Sequence, residues 1–424
     1  MTACSARREQ FLGWDACVLE NEFVRLVAVP DIGGRIMAFD LGAYPFFFVD
    51  PTLAGKLYTP EENQGDGSLA AWKNYGGDKT WPAPQGWDTD DQWHGPPDPI
   101  LDTGRYTVDG LYADGESAHL AMTSPPDPRT GIQITRAFTI RSDSSRVTLD
   151  LSFRNHSARP VRWGIWDVAQ LRAERRNDDG TVTFEPECVV TTPVNSTSVF
   201  PRGFNVMFGA DDNPQWQVDP VAGLFTAPYL WQIGKVGLDS PAGWVAFSNS
   251  AAGYAFAELF EVQPGAHYPD GGASVEVWTV GAGEVGNLNY EGSGIYLMET
   301  EVLSPLRTIE PQTSIDFRIT WGACRTDGAI RACGDAGAAA LPLSVAQESH
   351  GRVRVQYRGG VFDAGMLSLV WSTAAGEPLA DMPLGHVDPL TLVTLDRILP
   401  RPESAHILQL NVGQRTLARL ELTE

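Results

Sequence analysis

Apolar and polar residues alternate one for one, in short runs, through most of this chain. A β-strand sends successive side chains to opposite faces, so each run reads as a strand with one buried side. Such runs include FVRLVAV (Phe23 to Val29), QITRAFTI (Gln133 to Ile140), RVTLDLSFRN (Arg146 to Asn155) and VRWGIWDVAQL (Val161 to Leu171). Later come GWVAFSN, AGYAFAELFEV, ASVEVWTVG, GIYLMETEVL and TSIDFRITWG. Turn clusters such as RSDSS, NHSARP and RNDDG separate many of them, and long helical periodicity is absent. The pattern predicts an all-β protein built on a large antiparallel sandwich.

With 424 residues the chain is long for one domain and comfortable for two. Alternation lapses in RTDGAIRACGDAGAAALP, so 326–342 is expected as a linker between a large sandwich (1–325) and a second body (343–424). In that second body RVRVQYR, MLSLVWST, LVTLDRI, HILQLNV and LARLELT predict a small C-terminal β-sandwich.

Acidic residues outnumber basic ones by 53 to 31, a formal charge of −22. That repels phosphate backbones and anionic lipid surfaces, which argues against nucleic-acid and membrane partners. It suits a neutral or cationic small ligand, or serves solubility alone. Cys4, Cys17, Cys188, Cys324 and Cys333 lack zinc-ligand spacing and suggest no disulfide framework. The N-terminal residues show no apolar run of signal-peptide length, and no stretch approaches the ~20 apolar residues of a membrane span, so the expected location is cytoplasmic. Oligomeric state leaves no trace in the sequence.

NYGGDKTWPAPQGWDTDDQWHG, Asn74 to Gly95, has too much Pro, Gly and Asp for a core strand and too much Trp for an ordinary solvent loop. It is expected as a loop forming the lid or wall of a saccharide cleft. Trp81, Trp87 and Trp93 would stack on sugar C–H faces, or else plug one end of the sandwich. Lys79 would neutralise a substrate carboxylate or phosphate, or stack on Trp81 in solvent.

Strand parity singles out charges that share a face with apolar residues. Arg136 lies with Ile134, Phe138 and Ile140; Asp167 with Val161, Trp163 and Ile165. Glu258 sits between Phe256 and Phe260, Glu276 with Trp278, and Glu299 and Glu301 follow Ile295 and Leu297. A buried unpaired charge costs several kcal/mol or changes protonation. Either those faces are solvated, or Arg136 bridges one carboxylate structurally, or several of these groups line a polar pocket with aromatic walls.

Two motifs carry a family resemblance. YLMETEVLSPLRTIEPQTSIDFRITWG, Tyr296 to Gly322, resembles the late segment of aldose 1-epimerases (galactose mutarotases), where a Glu-Thr-Gln pattern ends a strand and a proline follows. GGDKTWPAPQGW, followed by His94-Gly95, is similar to the Gly-Gly…Pro…Gly loop of the hexose-6-phosphate 1-epimerase branch. PDIGGRIMAFDL (Pro30 to Leu41) resembles the hairpin that opens that superfamily's sandwich, and the combination with WGIWDVAQ, YPDGG and EVLSPL looks most like a bacterial family of unknown function with this fold. The resemblance spans roughly Glu20 to Trp321. It implies a galactose-mutarotase-like β-supersandwich, a small saccharide as partner and no cofactor.

It also implies a general base at Glu299, with Glu301 close behind because it replaces the family's Gln. The strand that carries a second histidine in epimerases has none here, so Asp167 or Gln170 would stand in. Mutarotation needs a base for the anomeric hydroxyl and an acid for the ring oxygen. His94 and His267, the latter flanked by Tyr268, are the candidate acids. Lys79, Trp81, Trp93, Arg136, Trp166, Gln170, Glu258, Tyr268, Glu276 and Trp278 are the candidate saccharide contacts. Paired carboxylates such as Glu258 and Glu276 leave a glycoside hydrolase or lyase open, and a non-catalytic saccharide-binding protein is the other alternative. Phosphate-loop, nucleophile-elbow and His-x-x-x-His metal patterns are absent, and no metal site is expected, although an Asp/Glu oxygen site stays open.

Overall fold

Strand pairing turns the alternating runs into two large antiparallel sheets. The structure, a computed structural model, describes residues 3–285 and 288–422. Eight strands position the site: β1 (Arg35–Leu41), β2 (Asp78–Ala83), β3 (Ile132–Arg141), β4 (Val161–Arg172), β5 (Gly234–Leu238), β6 (Tyr254–Phe260), β7 (Val275–Thr279) and β8 (Leu297–Leu303). Among the described residues the first sheet has twelve strands. It starts at Ser5–Phe11 and runs through Trp14–Glu20, Val24–Val29, β1, β2, β4, β8, β7 and β5 to Asn205–Gly209. The second has ten and places β6 beside Ser314–Arg325, then Val147–Asn155, then β3.

The sheets pack face to face. Ile134, Phe138 and Ile140 of β3 are buried, as their parity predicts. Phe39, Phe47 and Phe256 converge on Trp321, with ring centroids 5.5–5.8 Å apart. The hairpin expected at Pro30 to Leu41 is present as Val24–Val29 paired with β1. This large sandwich, with a smaller C-terminal one, is the architecture read from the alternation.

Two local expectations are overturned. Asp78–Ala83 is not part of a lid or wall loop but a strand with every residue buried. It pairs with β4 along its length and with β1 only through Ile36 and Asp78. Pro82, which has no N–H to give a ladder, therefore sits where the strand pairs on one side.

The stretch expected as a linker over 326–342 is also structured. Ala332–Gly334 and Gly337–Gln347 are strands of a four-stranded sheet that faces a second four-stranded sheet around Val355, Leu369, Trp371 and Leu410. Its small residues are packing devices. Ala338, with Ile330 and Phe362, lies against Trp244, Ala246 and Ala257 of the second large sheet, and a side chain at Gly337 would collide with the Gly360 carbonyl. Over 336–339, where consecutive residues are buried, burial on both faces erases the alternation. No helix among the described residues is long and apolar enough to cross a membrane.

Candidate functional site

Residues paired across an antiparallel ladder share a face. The register of β2, β4, β8, β7 and β5 therefore sorts their side chains without ambiguity. Trp81 faces Trp166, and Gln170 faces Glu299. Glu299 faces Trp278, Glu301 faces Glu276, and Trp278 faces Lys235. All of these, with Lys79, lie on the outer face of the first sheet, away from the second. Asp78, Thr80, Asp167 and Thr300 alternate with them and point inward to β3 and β6. In Asp78-Lys79-Thr80, Trp166-Asp167 and Glu299-Thr300-Glu301, neighbouring residues thus serve two different clusters.

The outer cluster contains two lysine–indole–carboxylate units. In one, Lys79 Nζ donates to Glu299 Oε1 at 3.2 Å and lies 4.8 Å from the Trp81 ring centroid. Gln170 Nε2 donates to the same oxygen at 2.6 Å. Burial holds the Lys79 ammonium below its ordinary range, partly offset by Glu299. In the other, Lys235 Nζ reaches Glu276 Oε2 at 2.6 Å and Glu301 Oε2 at 2.9 Å, and lies 4.4 Å over Trp166. Trp166 Nε1 also donates to Glu301 Oε2, at 2.8 Å.

Two carboxyls around one ammonium in a dry site cannot both ionise cheaply. Burial pushes Glu276 up to about 7 and Glu301 up to about 8, against the attraction of Lys235. Asp270, held at φ +52, adds negative charge beside Glu276 that raises it further, and is itself raised by burial. Trp81 packs on Trp166 at 5.4 Å and on Trp93 at 5.0 Å, and Trp72 lies 6.1 Å from Trp81. Beside them Arg35 pairs with Asp102, which accepts from Trp72 Nε1 at 2.8 Å. Buried polar atoms of this face with no partner among the described residues include Trp81 Nε1, Gln170 Oε1, Glu276 Oε1 and Glu301 Oε1.

The inner cluster is Arg136, Asp78, Asp167, Thr80, Glu258 and Thr300, all buried. Arg136 pairs with Asp78, donates to the Gly34 carbonyl at 2.8 Å and lies 3.8 Å from Asp167. Thr80 Oγ1 donates to Asp167 at 2.7 Å, and Thr300 Oγ1 donates to Glu258. Burial, then the negative neighbour Asp78, raises Asp167 well above the carboxylate range. Burial and then Asp167 do the same to Glu258. One guanidinium thus serves Asp78 and Asp167, while burial favours the protonated forms of Asp167 and Glu258.

The structure brings together Glu299, Glu301, Lys79, Trp81, Trp93, Trp166, Gln170, Glu276 and Trp278 on the outer face. It puts Asp167, Arg136 and Glu258 behind the sheet, so Asp167 does not stand in for a histidine beside Glu299, and Glu258 does not pair with Glu276. His94 stacks on exposed Trp87 at 3.9 Å and shares no described contact with Glu299 or Glu301. His267 is exposed in a cleft of about 610 Å³ with Tyr268, whose hydroxyl accepts from Gln263 N at 2.9 Å. Sequence reading missed Lys235, Arg35, Asp102 and the influence of Asp270 on Glu276. A lysine inside the apolar run Ile233 to Leu238 was the available signal for Lys235. Among the described residues no group of His, Cys, Asp and Glu side chains is arranged to hold a metal ion.

A family described as a domain of unknown function, DUF4380, matches residues 15–177. The chain is also similar to solved structures of galactose mutarotase-like proteins. One, from Clostridium acetobutylicum, is 9% identical, with 76% of this chain and 99% of that one covered and a TM-score of 0.46. Another, from Lactobacillus casei, is 10% identical, with coverage of 73% and 99% and a TM-score of 0.44. A further similar solved structure, named only as the Slr1438 protein of Synechocystis sp. PCC 6803, is 12% identical, with coverage of 74% and 98% and a TM-score of 0.44. No curated protein matches the chain. At such identities the likeness says nothing of a reaction.

Proposed function

We propose that the outer face binds a saccharide and interconverts its anomers. The observation that supports this is one strand face that offers two carboxyls two residues apart with different partners, beside two indoles. Glu299 lies under Lys79 and Gln170, and Glu301 holds its proton near neutrality. Glu299 takes the proton of the anomeric hydroxyl as the C1 carbonyl forms and the bond from C1 to the ring oxygen breaks. Glu301 gives its proton to that oxygen. Rotation about C1–C2 and reversal of both transfers yields the other anomer. The resemblance of Glu299-Thr300-Glu301 to the epimerase pattern agrees with this assignment, while the acid is a carboxyl in place of a histidine. Trp81 and Trp166 supply stacking surface, and Trp81 Nε1 and Gln170 Oε1 supply one donor and one acceptor for hydroxyls.

The test is polarimetry on freshly dissolved aldoses, with binding measured separately. Wild type accelerates mutarotation of at least one sugar, Glu299→Gln lowers that rate by about 10²-fold or more while binding persists, and Trp81→Ala weakens binding. Binding without acceleration of any sugar would replace this reading with a non-catalytic saccharide-binding protein. No binding and no acceleration would place the site elsewhere.

A further inference from the structure

Resting on that reading, we infer that the ligand is an oligosaccharide, and that Trp87 and His94 form an outer subsite for a sugar unit beyond the one over Trp81. Trp87 is 67% exposed, a large indole left in solvent. It is nonetheless fixed. Its ring stacks on His94 at 3.9 Å with an interplanar angle of 15°. Gly86 N donates to the Trp93 carbonyl at 2.8 Å, and Trp93 N to the Pro84 carbonyl at 3.0 Å. Asp88 N and Thr89 N both donate to Gln92 Oε1, at 2.7 and 3.2 Å. An aromatic platform immobilised before binding loses little entropy when a ligand stacks on it.

Beneath the platform is a cleft of about 250 Å³, lined by Trp87, His94, Trp93, Gln64, Asp127 and Arg129. Its size suits one sugar-sized unit rather than a protein surface. Its walls combine ring faces with amide, carboxylate and guanidinium groups, the mixture that hydroxyl-rich ligands require. Arg129 is exposed, donates to the Gln92 carbonyl at 2.6 Å and has no carboxylate partner among the described residues.

The cleft also adjoins the outer-face aromatics through one shared ring. Trp93 lines it and packs on Trp81 at 5.0 Å, and Trp81 carries Lys79 at 4.8 Å from its ring, beside Glu299. A sugar unit stacked on Trp87 would sit at the exposed end of this row of indoles, whose inner members Trp93 and Trp81 are buried.

The experiment titrates wild type and Trp87→Ala with neutral and uronic-acid-containing mono-, di-, tri- and tetrasaccharides, by calorimetry. Wild type is expected to bind some series with affinity that rises with length, and Trp87→Ala to lose about tenfold for the longer members so that the length dependence flattens. Trp87→Phe, which keeps a ring face, recovers part of it. Equal affinity for all lengths in wild type overturns the inference and leaves the single-sugar reading standing. Length-dependent binding through Trp87 with no polarimetric effect of Glu299→Gln upholds the subsite and sinks the proposed reaction. Self-association lost in Trp87→Ala with saccharide binding unchanged overturns the subsite in favour of a contact between copies of the chain.

Discussion

Glu301 lies directly across the sheet from Glu276, and the ammonium of Lys235 sits between their carboxyls at 2.9 and 2.6 Å. Each acid is thereby held close to a cation and kept out of water at once. The protonation of the pair responds to pH in the neutral range, which exposed glutamates do not.

Stability should therefore fall as pH rises through that range. An unfolded glutamate titrates near ~4.3, whereas Glu301 in the fold titrates at about 8. Between the two values the unfolded chain has released the proton and the folded one still holds it, so rising pH favours unfolding. Glu301→Gln removes this contribution. Its melting temperature, followed by differential scanning fluorimetry from pH ~5 to ~8, is expected to decline less steeply than that of wild type.

Lys235→Met leaves Glu276 and Glu301 buried with no counter-charge. Removing one partner of such a group costs about 3–5 kcal/mol. The loss, measured by urea unfolding, is expected to be larger at pH ~9 than at pH ~6, because at the lower pH both carboxyls accept protons.

Behind the sheet the expectations split. Glu258 accepts from Thr300 and burial favours its protonated form, so Glu258→Gln preserves the shape and, in that form, the charge. It should change stability by no more than about 0.5 kcal/mol at neutral pH and stabilise the protein above the range where wild type must ionise. Arg136→Met strips the inner cluster of its one cation and should cost about 3–5 kcal/mol. Arg136→Lys should recover little, since a single ammonium cannot serve Asp78 and the Gly34 carbonyl together. Chemical denaturation of the three variants gives the comparison.

Gly77 precedes β2 at φ +71, and a side chain there would strike the Ile36 carbonyl. Gly77→Ala is expected to destabilise by about 1–3 kcal/mol. Because Lys79 is only two residues on, saccharide affinity should drop by more than the stability loss explains. Titrating the folded fraction at low temperature separates the two effects.

Much of this was legible from alternation. Parity put Arg136 with Ile134 and Phe138, Asp167 with Trp163 and Ile165, and Glu299 with Glu301, and the structure keeps every one of those groupings. What parity cannot give is the relation between strands, because a period of two fixes faces within a strand and only ladder register fixes them across a sheet. The charged residues therefore looked like one pocket, while Glu299, Glu301 and Glu276 stand on one side of the sheet and Asp167, Arg136 and Glu258 on the other. β2 was hidden by Pro82 and its flanking glycines, which local chemistry assigns to loops and one-sided pairing tolerates. Lys235 was hidden because Gly234 and Gly237 leave β5 with too few side chains to alternate. Asp270 lies in a turn, where sequence holds no sign of which carboxyl it will meet.

The packing of Ile330, Ala338 and Phe362 on Trp244, Ala246 and Ala257 has an architectural corollary. A two-layer molecule presents two backs to its surroundings, and here the chain's own tail thatches part of one of them. A version cut before the tail strands would expose an oily roofless area and clump, whatever the condition of its working side.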